Sequence, residues 1–275
     1  FGTASALVFN DLFFSDASET TATLASFATL GVGFLARPFG AVLFGQIGDR
    51  MGRRPALLIS IVAIGVATGL IGLLPNYNSI GIWAPIALTV LRLVQGIAVG
   101  GEWGGATTMA IEHAPAEKRG RYAAFVQIGS PAGTLLSSGV FSLVLMLPDD
   151  AVSSWGWRIP FLIAFPFLAI ALYIRTKVEE SPVYQALEKE AEEDEAKHKG
   201  SLKELFTEHF GQIVLAAAAA LLGIGGFFVL TTYTISYATI TLNFERQTVV
   251  NATLAAAVCQ IFINLYFGRL GEKIG

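Results

Sequence analysis

The sequence predicts an all-α polytopic membrane protein, and three observations carry that reading. Apolar residues fill 53% of the 275 positions and charged residues only 14%, against roughly a quarter charged in soluble chains. Mean hydropathy is +0.60. The apolar residues gather in runs of about 20, the length a helix needs to cross a bilayer core. The 29 glycines and ten prolines are ordinary in membrane helices and odd in soluble ones. The same arithmetic excludes a disordered chain. A net charge of −3 gives no field that would draw nucleic acid, and the lone cysteine, Cys259, allows no internal disulfide.

Seven complete spans follow a partial one. Residues 1–14 are apolar but too short to cross. The complete spans are expected near 22–45, 55–74, 82–111, 122–147, 158–174, 212–238 and 249–267. The stretch 82–111 is longer than a bilayer requires, so it tilts or extends past the interface. No cleavable leader is expected. Alternate loops hold Arg50, Arg53, Arg54, Lys118, Arg119, Arg121, Arg175, Lys177, Lys189, Lys197, Lys199, Lys203, Arg269 and Lys273, which is 14 of the 18 basic residues. Basic loops face the cytoplasm, so these are placed inside. Asp16, Glu19, Asp149 and Asp150 are placed outside, with Arg246 the basic exception there.

Residues 177–210 form the only long polar stretch. Its Glu188–Glu195 run reads as a solvated helical linker with i,i+4 ion pairs and is assigned no binding role. The expected organisation is an N-terminal transmembrane bundle over 1–176, a cytoplasmic linker over 177–210 and the start of a second bundle over 211–275. An internal repeat supports it. Gly45-Gln46-Ile47-Gly48-Asp49-Arg50-Met51-Gly52 returns 223 residues later as Gly268-Arg269-Leu270-Gly271-Glu272-Lys273-Ile274-Gly275, and seven of the eight positions agree in identity or chemical type. Parallel repeats of six helices imply two bundles that rock about a midplane site. On that reading the chain is a fragment of a 12-helix protein, with helix 1 partial and helices 2–8 complete.

The motif Gly45-x-x-Gly48-Asp49-Arg50-x-Gly52-Arg53-Arg54 resembles the loop between helices 2 and 3 of the major facilitator superfamily. Further segments resemble its metabolite:proton symporter branch. They are Phe34-Leu35-Ala36-Arg37-Pro38, Arg92-x-x-Gln95-Gly96 through Gly100-Gly101-Glu102-Trp103-Gly104-Gly105, Glu112-His113-Ala114-Pro115, Trp155 through Phe161, and Glu179-Glu180-Ser181-Pro182. The resemblance spans essentially the whole chain. It implies the major facilitator fold, and symport of a small organic acid or zwitterionic osmolyte such as shikimate, 2-oxoglutarate, citrate, proline or betaine. A sugar porter or an osmolyte symporter is the alternative. The resemblance also implies a cytoplasmic charge network in which Asp49, Arg50 and Arg53 meet Glu112 and Arg119, with Glu272 and Lys273 as the repeated counterparts.

Ionisable groups inside a span cost several kcal/mol unless paired or hydrated, which makes them functional candidates. Arg92 lies about 15 Å into its helix, near mid-membrane. Gln95, Val99 and Glu102 share its face at 100° per residue. Arg92 is a candidate for bidentate binding of a substrate carboxylate, or else a structural tie to a buried acid or to helix carbonyls. Glu102 is the proton-coupling candidate, or else one half of a fixed ion pair. Arg37 reads as an interfacial anchor. Polar lining candidates are Gln127, Tyr233, Tyr237, Gln260 and Asn264, each equally readable as interhelical glue. Gly96, Gly100 and Gly104 form a small-residue ladder for close helix packing. The histidines have no metal-ligand spacing, and no nucleophile, base and acid share one depth. Catalytic residues, bound metal and cofactors are therefore not expected. The expected partners are a small-molecule substrate, a proton and the lipid bilayer. Nucleic acid is not among them, and a monomer is expected.

Overall fold

The computed structural model describes residues 9, 12–16, 18–144, 146–186, 207–228, 237–238, 242, 244 and 246–274. Among them there are helices and turns and no strand, in accord with the all-helical expectation. The long helices are α1 (Glu19–Met51), α2 (Arg53–Leu73), α3 (Trp83–Glu112), α4 (Arg119–Val144), α5 (Ala164–Thr176), α6 (Phe210–Phe228) and α7 (Arg246–Ile274). Two compact units are formed, one from Phe1–Gln185 with Ile261–Gly275 and the other from Ala186–Gln260.

Five stretches are long and apolar enough to cross a membrane: Thr20–Met51, Arg53–Leu73, Trp83–Glu112, Gly156–Thr176 and Leu254–Ile274. The expected span at 122–147 is helical as α4, 26 residues long, yet falls short in apolarity. Gly129, Ser130, Gly133, Thr134, Ser137, Ser138 and Gly139 dilute its second half. The span expected at 212–238 is helical as α6, and most of the residues beyond Phe228 lie outside the described ones. The Glu188–Glu195 run lies outside them too. Helix α3, at 30 residues, is about 45 Å long, more than a bilayer core needs.

Helix α2 shows how remote residues finish a local element. It begins one residue after α1 ends, across Gly52 at φ +101°. It carries no acid in its first turn and no base in its last, so its own sequence leaves the helix dipole uncompensated. Both ends are completed from elsewhere. At the N-terminus the Glu180 carboxylate accepts from the backbone N–H groups of Arg53 (3.0 Å) and Arg54 (3.1 Å). At the C-terminus Arg158 donates through Nη1 to the carbonyls of Gly72 (3.0 Å) and Leu74 (2.7 Å). A Cβ on Gly52 would also strike the Glu180 carboxylate, so both the backbone angle and the space require glycine there.

Helices α1 and α3 pack backbone to backbone. A Cβ on Gly96 would fall on the Gly33 carbonyl, one on Gly100 on the Arg37 carbonyl, and one on Gly40 on the Ile97 carbonyl. The small-residue ladder is therefore a packing seam. Gly104 departs from it, with open space where its Cβ would be. One end of the first unit is closed by an aromatic cluster. Phe9, Phe13, Phe141, Trp157 and Phe161 pack with Ile71, Ala84 and Leu88, all nearly or wholly buried. Phe9 and Phe13, which precede α1, are thus built into the core.

Candidate functional site at mid-span and the charges at the helix ends

Arg92, on the third turn of α3, is only 6% exposed. It does not face lipid. Its Nη1 donates to Gln95 Oε1 at 3.1 Å, and the guanidinium lies 5.5 Å from the centre of the Phe9 ring, within cation–π range. Gln95 Nε2 in turn donates to Thr68 Oγ1 on α2 at 2.6 Å. The Thr68 hydroxyl donates to the Ile64 carbonyl at 2.6 Å. The site is thus a buried cation with a neutral hydrogen-bonded neighbour and an aromatic floor. Such a group is kept charged at low dielectric only at a cost.

Glu102 lies nearly three turns further along α3, half-buried. It interacts electrostatically with Arg175 on α5 and forms no salt bridge among the described residues. Its charge environment is therefore a second helix's arginine rather than Arg92. Gln127 is exposed and accepts from the Trp103 indole at 3.3 Å. Tyr237 is 42% exposed, Gln260 and Asn264 are half-buried, and Tyr233 lies outside the described residues. Arg37, expected to be an anchor, is half-buried, with Nε shielded from solvent and the guanidinium 4.2 Å above the Phe34 ring.

The expected charge network forms in part and with changed partners. Arg53 pairs with Asp49 at 2.6 Å and reaches Glu112 at 3.9 Å, the second beyond hydrogen-bonding distance. Glu272, in the repeated motif on α7, binds the first turn of α4. It accepts from the Arg121 backbone N–H at 3.0 Å and from Arg121 Nη2 at 2.9 Å. Arg119, expected in the network with Asp49, Arg50 and Arg53, is exposed and forms no ion pair among the described residues. The Glu272 contact follows from helix geometry. A carboxylate capping the N-terminus of α4 meets the backbone N–H two residues in, and the side chain at that position is Arg121. Arg50 contributes its backbone carbonyl, which accepts from the Tyr184 hydroxyl at 3.3 Å. Neither Arg50 nor Lys273 forms an ion pair among the described residues.

Sequence reasoning missed three residues here. Thr68 gave no signal, being one small polar residue in an apolar helix. Glu180 sits in a segment with a recognisable pattern, but only the folded chain brings it to the N-terminus of α2. Arg175 counted as a loop cation, and its meeting with Glu102 depends on how α5 packs.

Comparison with known proteins places these features in context. A family model described as sugar (and other) transporter matches residues 2–265. The shikimate transporter of Escherichia coli K12 is 39% identical over 276 residues, covering 100% of this chain and 63% of that protein. The inner membrane metabolite transport protein YhjE of the same organism is 40% identical over 240 residues, 87% of this chain and 54% of that one. The proline/betaine transporter of E. coli K12 is 35% identical over 270 residues, 96% and 54% of the two chains. The chain thus spans between about half and two thirds of these relatives. Among solved structures, the major facilitator superfamily proton:xylose symporter XylE bound to 6-bromo-6-deoxy-D-glucose superposes with a TM-score of 0.74 at 19% identity, over 98% of this chain and 64% of that one.

Proposed function

Because the chain belongs to the sugar (and other) transporter family and has the major facilitator fold, we propose that it acts in proton-coupled symport of a small organic acid or zwitterionic metabolite. The observation that carries this reading is Arg92, a buried mid-span cation beside a neutral amide. A carboxylate-bearing cargo would offer the guanidinium a planar, bidentate partner. Gln127, Tyr237, Gln260 and Asn264 are the further lining candidates, together with Tyr233. Glu102 holds the coupling proton, and Arg175 favours its release once the path to the inside opens. Binding of proton and cargo together changes the charge pairing at the site, and the bundles then rock.

The Glu272–Arg121 contact and the Asp49–Arg53–Glu112 cluster hold the inner face shut until that occupancy is reached. The bundles run over 1–176 and from 211 onward, joined by the 177–210 linker. The basic loops face the cytoplasm of a bacterial inner membrane, and the protein works as a monomer without catalytic chemistry. An osmolyte cargo is the second reading, since a proline/betaine transporter is a relative at 35% identity, and such a cargo also carries a carboxylate.

The test is an uptake screen in proteoliposomes with the full-length protein. Shikimate, 2-oxoglutarate, citrate, proline, betaine and xylose are offered under imposed proton and sodium gradients. Saturable, proton-driven uptake of a carboxylate is the expected result. Uptake confined to xylose, or driven by sodium alone, overturns the reading.

A further inference from the structure

Between α3 and α4 one side-chain hydrogen bond lies open. The Trp103 indole donates through Nε1 to Gln127 Oε1 at 3.3 Å. Both residues are exposed, Trp103 at 56%. They sit about 12–14 Å from the helix ends at Glu112 and Arg119, well inside the spans expected at 82–111 and 122–147. An indole nitrogen only donates, so it must meet the amide oxygen. Gln127 Nε2 is thereby turned away from Trp103, and it makes no hydrogen bond among the described residues. An amide nitrogen left bare in hydrocarbon would cost several kcal/mol, so this face borders water rather than lipid. Gly104, beside Trp103 on α3, likewise has open space where its Cβ would be.

We propose that Trp103 is a positioning residue for cargo binding. Its N–H holds the Gln127 amide with the nitrogen outward, as a donor to an oxygen of the cargo. Its exposed ring face forms a wall of the same path, flat enough to meet the ring or methyl groups of a small metabolite. The proposal rests on the carrier reading given above, in which Gln127 is a lining candidate. Indole suits the task because it has no acceptor and leaves the amide a single orientation. A hydroxyl at 103 would accept as well as donate, and the amide could then turn over. Its oxygen would face outward and repel a carboxylate.

The test uses full-length protein in proteoliposomes. The probe is whichever of shikimate, 2-oxoglutarate, citrate, proline or betaine gives saturable uptake, and xylose if none does. Trp103→Phe keeps a ring and removes the N–H. It is expected to raise KM by about tenfold, the scale of one hydrogen bond to a charged group, with a smaller change in maximal rate. In a Gln127→Leu background Trp103→Phe is expected to add nothing, because the amide it orients is gone. Gln127→Glu still accepts from the indole but turns an acceptor outward, and is expected to raise the KM of a carboxylate beyond that of Gln127→Leu. Cargo is expected to shift tryptophan emission, with part of that shift missing in Trp103→Phe. Thermal melts in detergent separate this from a loss of fold, since a purely structural contact would lower the melting temperature without a KM effect that depends on Gln127. An unchanged KM in Trp103→Phe, an equal rise with and without Gln127, or an undiminished emission shift overturns the proposal. If Trp103→Phe does not fold, Gln127→Glu decides, and a KM no higher than that of Gln127→Leu overturns it. The two failures are distinct. Carboxylate uptake that Trp103→Phe leaves unchanged removes only the Trp103 role. Uptake confined to xylose removes the carboxylate reading, and Trp103→Phe with and without Gln127, read on the KM of xylose, still decides Trp103.

Discussion

The mid-span site and the charges at the helix ends solve opposite problems with the same residue types. At mid-span Arg92 is buried and its near neighbour is neutral. At the other end acids meet bases and helix N-termini. Glu180 and Glu272 cap helix N-termini, and Arg53 lies between Asp49 and Glu112. The first arrangement buries its cation against a neutral amide and an aromatic ring. The second ties carboxylates to neighbouring helices and so holds one arrangement of them. Burial separates the two regions and also grades the second one internally. The Asp49 side chain is 68% exposed and that of Glu272 only 11%.

The sharpest way to break the comparison is Arg92→Lys. A point charge replaces a planar fork, and uptake of a carboxylate measured as Vmax/KM is expected to fall about 10- to 100-fold, the equivalent of one charge-assisted hydrogen bond. Near-normal uptake would move Arg92 into the structural class. Next in size is Glu102→Gln. Proton-driven accumulation is expected to collapse while cargo exchange persists, as read by pH-jump uptake against counterflow. Retained accumulation assigns Glu102 to its electrostatic contact with Arg175 and nothing more.

At the helix-end charges the expected effects are graded by exposure. Glu272→Gln removes a half-buried charge that binds both a backbone N–H and a guanidinium, worth about 1–3 kcal/mol. Asp49→Asn removes an exposed pair worth about 0.2–1 kcal/mol. Labelling of single cysteines introduced on the cytoplasmic side is expected to rise clearly in the first variant and slightly in the second. The reverse order would mean that the loop between α1 and α2 carries the closure.

The smallest effect lies outside both regions and serves as a control. In the connection between α2 and α3, the Tyr77 phenol donates a hydrogen bond to Asp16. That bond, and then the charge of Asp16, push its pKa above the usual 10.0. The folded chain thus holds this proton more tightly than the unfolded one. The stabilisation is complete below the ordinary phenol pKa and is lost as pH rises through the raised folded value. Asp16→Asn is expected to bring the Tyr77 titration down, seen as a phenolate absorbance difference that Tyr77→Phe removes, with uptake at neutral pH unaffected.

Much of this was legible in the sequence because the bilayer makes composition decisive. Runs of about 20 apolar residues locate α2 and α3 to within two residues, whereas α1 runs six residues past its expected end and α5 begins six after its expected start. The span expected at 122–147 is helical as α4 but falls short in apolarity, since its serines and glycines weaken the signal. The Arg92–Gln95 pair follows from three-residue spacing on a helix face, and the repeated glycine-acid-base motif singled out Glu272 before its partner was known. The motif did not name that partner, because a sequence motif records which residues recur and not which backbone N–H a carboxylate reaches.

The sequence alone therefore determined that the chain is helical, that it crosses a membrane, and that Arg92, Glu102 and Glu272 are its costly charges. Those properties depend on residue type and on spacing within one helix. Tertiary structure decided what each charge meets: Thr68 behind Gln95, Arg175 near Glu102, Arg121 on Glu272, and Glu180 with Arg158 at the two ends of α2. These contacts join residues from 27 to 151 positions apart, and hydrogen bonds of that kind are fixed by how the helices pack, which no local pattern encodes.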